Sequence, residues 1–232
     1  AVGARNAVVF LERVNWNEIG ALTDSAIDSN YFMLNTLEFS PDGAQLAGGG
    51  AFGTTQTWNI ADKIPLSTSQ VMDARIFTVA YSPDGALIAD GGQDGYLRIM
   101  VASNLSVVFE VDTGVSIRKL DFSPDGKQIA AAMGDGTVTL WELNQLVTVL
   151  PGHRGSVLDV NFSSDGELLV SGGQDGRIGI WTTHPLKNVA FLYASNWAVN
   201  DVAISPDSNT IAAAIQSGVV GVWGLPPVEM RN

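Results

Sequence analysis

Two histidines, His153 and His184, are the only imidazoles in the 232-residue chain, and it has no cysteine. Thiolate metal sites, cysteine nucleophiles and disulfides are therefore excluded. His184 lies in "TTHPLK", a loop ahead of a proline, where a solvated side chain is expected. Serines are plentiful, but no nucleophile-elbow sequence presents one for attack. The Asp-Gly turns ("PDG", "QDG") invite a calcium reading. Calcium loops, however, cluster several carboxylates at alternating positions, and each of these turns supplies one. "GGQDG" occurs twice but precedes a strand pattern, whereas phosphate cradles feed a helix N-terminus. Asp159 and Asp201 remain, at matching places of a repeat, as a carboxylate pair for a hydrolase or a sugar-binding site. Hydrogen bonding to adjacent loops is the plainer expectation for both. No catalytic residue, metal ligand or cofactor is assigned.

The elements that hold these residues are repeated. "LEFSPDGAQLAGGG" (37–50) returns as "VAYSPDGALIADGG" from Val79, "LDFSPDGKQIAAAM" from Leu120, "VNFSSDGELLVSGG" from Val160 and "VAISPDSNTIAAAI" from Val202. The anchors Phe39, Tyr81, Phe122, Phe162 and Ile204 are 42, 41, 40 and 42 residues apart. Serine follows every anchor (Ser40, Ser82, Ser123, Ser163, Ser205), and aspartate comes two residues later (Asp42, Asp84, Asp125, Asp165, Asp207). Tryptophan falls 19 residues after four anchors (Trp58, Trp141, Trp181, Trp223), and Met100 holds that place in the second copy.

Locally the copies read as strands. "LEF" and "LDF" alternate apolar and charged residues, the period of a half-buried strand. Ser-Pro-Asp-Gly suits a type I turn, with proline fixing φ and glycine free to take positive φ. It joins the first strand to a second such as "AQLAGG"; a Gly/Asp turn leads to a third such as "TVTLW", and a weaker fourth such as "LSVVFEV" follows. Each copy is thus a four-stranded antiparallel meander. A lone sheet cannot bury both faces, so copies must stack. The small second-strand residues (Ala47, Gly48, Ala89, Ala130, Ala131, Ala212, Ala213) would allow close approach, and the third-strand tryptophans would fill wider gaps.

These features resemble the WD-repeat β-propeller family over roughly residues 34–225, with a Ser-Pro-Asp-Gly turn more like that of bacterial-type members. The resemblance implies an all-β chain: a β-propeller of four-stranded antiparallel blades, with five recognisable repeats plus a partial N-terminal strand pair. It also implies a structural hydrogen-bond network of His153, Ser171, Asp175 and Trp181 in the fourth copy. Elsewhere the histidine place holds Asn30, Met72, Thr113 or Ser195, and the dipeptide Trp-Asp never occurs. One domain, 1–232, is expected. Residues 1–33 supply N-terminal strands, 34–225 the repeats and 226–232 a tail. Asn17–Thr23 could pair with Val219–Gly224 as a ring-closing clasp, giving five blades and leaving Ala7–Val14 unexplained. Open blade edges joining copies into an oligomer are the alternative.

The net charge of −12, with 12 lysines and arginines against 24 carboxylates, argues against nucleic acid and anionic membrane surfaces. No apolar run is long enough to span a bilayer, so membrane insertion is not expected. The chain opens at Ala1 with no signal-peptide pattern, which suits a processed chain or an excised fragment. With the lack of cysteine, this leans towards an exported, extracytoplasmic setting, the cytoplasm being the alternative. The loops leading into each first strand vary most, as binding loops on a rigid scaffold do. Tyr31, Phe32, Arg75, Arg154 and Trp197 give them the aromatic-plus-arginine composition of interaction hot spots. The expected role is a non-catalytic scaffold for a protein or peptide partner. Packing of Phe32 and Trp197 between blades is the competing expectation.

Overall fold

The computed structural model describes residues 2–4, 7–11, 18–23, 34–70, 74–143 and 145–225, with side chains from residue 34 onward. All regular structure among them is β. The chain divides into two compact units, Ala1–Gly114 and Val115–Asn232.

The first unit holds β1 (Val2–Ala4), β2 (Ala7–Leu11) and β3 (Glu18–Thr23) in one sheet. Two four-stranded meanders follow. One is β4 (Leu34–Phe39), β5 (Gln45–Gly50), β6 (Thr54–Asn59) and β7 (Ile64–Gln70). The other is β8 (Ile76–Tyr81), β9 (Leu87–Gly92), β10 (Tyr96–Val101) and β11 (Val107–Asp112). The second unit begins with β12 (Ile117–Phe122), β13 (Gln128–Met133), β14 (Val138–Glu142) and β15 (Gln145–Leu150). It continues with β16 (Val157–Phe162), β17 (Leu168–Gly173), β18 (Arg177–Thr183) and β19 (Leu186–Tyr193), again a four-stranded sheet. It ends in a three-stranded sheet of β20 (Val199–Ile204), β21 (Thr210–Ile215) and β22 (Val220–Gly224). Every pairing is antiparallel, in the order the repeat expects. Glu18–Thr23 pairs with Ala7–Leu11, so the N-terminal strands form a sheet of their own, and the expected clasp is not among the described pairings.

The turn after each first strand shows why serine recurs. Its hydroxyl lies 2.5 to 2.8 Å from the turn aspartate in all five copies. The same oxygen accepts the N–H of the first residue of the next strand at 2.9 Å each time. Gly43 closes its turn by donating to the Ser40 carbonyl at 2.8 Å, with φ at 70° and open space where a Cβ would stand. That positive φ is why glycine is used there.

Within each unit the sheets pack face to face. Ala47 of one sheet meets Ile76, Val79, Ile88 and Met100 of the next. In the second unit Ala130, Ala132 and Leu140 meet Val157, Val160, Leu169 and Trp181, while Leu168, Val170 and Ile178 meet Val199, Val202 and Ile211. Polar staples cross between neighbouring first strands. Glu38 accepts the Tyr81 N–H at 3.3 Å, Asp121 accepts the Phe162 N–H at 2.7 Å, and Asn161 donates to the Val202 carbonyl at 2.9 Å. A register shift near the start of every first strand, between Val157 and Asp159 and between Val199 and Asp201 for example, marks a β-bulge.

Candidate functional site

Four residues of the fourth copy meet behind the loop that leads into β16. His153 Nδ1 is 2.9 Å from Asp175 and its Nε2 is 2.7 Å from the Ser171 hydroxyl. The ring stands edge-on to Phe191 at 5.2 Å, and Phe191 is edge-on to Trp181 at 5.6 Å. Gly179 leaves room for that indole: a Cβ there would lie 2.2 Å from the Trp181 ring. Asp175 also accepts the Arg154 N–H at 2.9 Å. Burial raises the Asp175 carboxyl, but the bonds from His153 and Arg154 outweigh it and hold the group below its ordinary value. The network ties the Arg154 loop to the β17–β18 turn. Ser171 and the His153 ring are buried and bonded, so the network holds the loop.

The second copy solves the same problem with charge, which sequence reasoning missed. Arg98 is paired across the sheet with Asp90 on β9 and Glu110 on β11, as Gly179 is with Ser171 and Phe191 in the fourth copy. Its guanidinium lies 3.4 Å from Asp90 and 3.1 Å from Glu110, in close contact with Asp94, and 5.1 Å from the Tyr96 ring centroid. Arg98 is 1% exposed and Asp90 fully buried. Burial pushes the Asp90 carboxyl up to about 6, against the Thr55 hydroxyl at 2.6 Å and Arg98. The signal was present in sequence: where Met100 replaces tryptophan, an arginine stands two residues earlier.

Asp159 and Asp201 are brought together closely enough for Asp201 to raise the Asp159 carboxyl by hydrogen bond and charge, but only Asp201 is open to solvent. Asp159 is buried and accepts the Val202 N–H at 2.7 Å and an Asn161 amide hydrogen at 3.1 Å, whereas Asp201 is exposed. The partner of Asp159 is thus a neighbouring strand, where a loop was expected. Burial pushes its carboxyl up to about 7; Asp201 adds to the rise, and the Val202 bond and Lys119 oppose it. Among the described residues no group of three or more metal-ligating side chains could hold an ion. His184 bonds Thr183 at 3.0 Å and borders a concavity with Asp125, Glu142 and Glu167.

Of the residues expected to meet a partner, Tyr31 and Phe32 lie outside the described residues. Arg75 is exposed, and its carbonyl accepts the Gln93 N–H at 2.8 Å. Arg154 and Trp197 are exposed in the loops leading into β16 and β20 of the second unit. Trp197 is 58% exposed. Its backbone N–H and C=O are both held by the Ser195 hydroxyl, at 2.8 and 2.7 Å. The loop is therefore fixed while the indole is free.

With this geometry in place, the comparisons are direct. The family profile described as WD domain, G-beta repeat matches residues 66–99, 106–142 and 144–182. The chain is also similar to the β-propeller domain of Myceliophteria thermophila Cps50 (Swd1), known from a crystal structure. Their TM-score is 0.76 at 15% identity, covering 84% of this chain and 67% of that one. At that identity the likeness speaks for the fold alone. The chain is thus an all-β protein whose four-stranded antiparallel sheets match the blades of a β-propeller, with WD40-type repeats found over residues 66–182. No curated protein matches it in sequence.

Proposed function

We propose that the chain is a non-catalytic interaction scaffold, one propeller domain of the bacterial-type, Ser-Pro-Asp-Gly-rich kind, that binds a protein or peptide through the loops leading into its first strands. The observation that carries this is Trp197: a large aromatic left 58% exposed on a loop whose backbone is pinned. A pre-fixed loop loses little ordering entropy on binding, and exposed Trp and Arg on such loops match the composition of binding hot spots. Arg75, Arg154 and Trp197 are assigned as contacts, together with Tyr31 and Phe32. Alanine at Arg154 and Trp197 tests the assignment by affinity capture. Partners held by the wild type and lost by the variant, with an unchanged melting curve, support it; equal capture by both refutes it.

One observation favours a second reading, a subunit joined to copies through sheet edges. β22 is the edge of a three-stranded sheet, and its Val220 and Val222 are 68% and 65% exposed. An unpaired strand edge is a template for another strand. A sedimenting mass that stays monomeric at every concentration removes this reading.

A further inference from the structure

We infer that the second unit carries a docking cleft for a basic peptide, entered by an arginine side chain, between the turns that follow β12 and β16. The cleft has a volume of ≈ 440 Å³, within the range of small-ligand clefts, about 300–1,000 Å³. It lies at the end of the first strands away from the Arg154 and Trp197 loops, so it goes beyond the scaffold reading and does not depend on it. Pro124 and the half-buried ring of Phe162 give the cleft apolar surface, and Asp125, Glu142, Asp165 and Glu167 give it carboxylates. Its own cations are few. Lys127 is already held by Asp125 at 3.0 Å, and His184 is engaged by the Thr183 hydroxyl at 3.0 Å.

The repeat alone does not require these glutamates. The first unit has the same gap between its first two turns: a Cβ on Gly85 would lie 3.6 Å from Pro41, as one on Gly166 would lie 3.6 Å from Pro124. Thr183 donates to the Glu167 carbonyl at 3.0 Å, and Ala102 donates to the Ala86 carbonyl at 2.9 Å, so the places correspond residue by residue. Asn59, Ala86 and Ser103 stand in the first unit where Glu142, Glu167 and His184 stand here. The turn aspartates are explained in both units by their serines. The two glutamates are not. Among the described residues Glu142 meets only the Gln145 amide, at 3.2 Å, and the Glu167 carboxylate has no hydrogen bond.

The lining selects the ligand. Carboxylates around an aromatic ring call for a cation on an apolar stem. A guanidinium donates to carboxylates in a fixed fork and stacks on ring faces, and its stem covers apolar surface. An ammonium is a point charge without the fork. A bare metal ion finds no group of three or more ligating side chains among the described residues. An acidic segment would meet like charge. The net charge of −12 also draws a basic partner from a distance.

The test is calorimetric titration of the full chain with the peptide acetyl-Gly-Arg-Gly-Arg-Gly-amide and its lysine counterpart, each to about 5 mM, a range that reaches weak affinities. The arginine peptide is expected to bind, more tightly than the lysine peptide and less tightly as salt rises. Glu142→Gln/Glu167→Gln, at two exposed positions, is expected to weaken it about tenfold or more. Asp62→Asn/Asp112→Asn removes the same charge from exposed positions of the first unit and is expected to leave the affinity within about twofold. The inference is overturned if the arginine peptide does not bind, if the lysine peptide binds as tightly, or if the first-unit variant weakens binding as much as the cleft variant, which is the mark of a diffuse charge effect. The cleft variant keeps Arg154 and Trp197, so its capture of a protein partner reports on the scaffold reading separately.

Discussion

Replacing Arg98 by methionine removes the charge of the second copy's network and keeps most of the stem. Asp90, fully buried, would retain only the Thr55 hydroxyl at 2.6 Å, and Asp94 would lose its guanidinium contact. Breaking a buried pair from one side costs about 3–5 kcal/mol, because a charge is left uncompensated. Protonation limits that cost. The Asp90 carboxyl already titrates at about 6 with Arg98 present, and without Arg98 it rises further. A group whose folded pKa exceeds its unfolded value loses stability as pH climbs from the unfolded pKa to the folded one. The penalty should therefore be near 3 kcal/mol at pH 8, an order-of-magnitude figure from the same principle, and clearly smaller at pH 5. Adding Asp90→Ser, the residue type the fourth copy uses there, should recover most of the loss. Urea unfolding followed by circular dichroism at the two pH values measures both. A loss under about 1 kcal/mol, or one that does not shrink on acidification, would show that Arg98 is packing rather than pairing.

Other consequences are equally open to measurement. Ser163 is fully buried and accepts the Leu168 N–H at 2.9 Å, so Ser163→Ala should destabilise by about 1–3 kcal/mol in denaturant unfolding. Asp159 is held up at about 7 by burial, so its contribution is most favourable at low pH and fades as pH rises from its unfolded value towards 7. Asp159→Asn should therefore gain stability relative to wild type as pH increases over that window, read from melting curves at pH 4 and pH 8. The turn aspartates run the other way. Ser123 holds the Asp125 carboxyl down to about 2, so its stabilisation is present above about pH 4 and disappears as pH falls to 2; Asp125→Asn should flatten the acid limb of the unfolding profile.

The periodicity was legible because it is written by local demands. Serine, aspartate and glycine recur since each turn needs the same hydroxyl hub and the same positive φ, and third-strand tryptophan recurs since each sheet has the same gap to fill. What depends on a neighbouring sheet was not legible. Glu38 and Asp121 look like the solvent side of an alternating strand, yet each accepts an N–H from the next first strand. A sequence window carries the alternation but not what lies beside it. Arg98 was hidden for the same reason: its partners come from β9, β11 and a turn, and only the missing tryptophan at Met100 marked the place. Asp159 drew attention as a carboxylate, but its burial under Val202 was invisible. For Trp197 the sequence held two expectations, contact residue or inter-blade packing, and its side chain stands 58% exposed. The glutamine of "GGQDG" reads in sequence only as part of a non-phosphate loop, yet in the fourth copy its side-chain oxygen accepts the Ser156 N–H.

Hydrogen–deuterium exchange of the chain, alone and with a captured partner, addresses the scaffold reading most directly. Protection should appear in the segments 152–156 and 195–198, on the side where the loops lead into the first strands, with the Ser-Pro-Asp-Gly turns at the other end of those strands unchanged. Protection confined to those turns, or to β22, would contradict it.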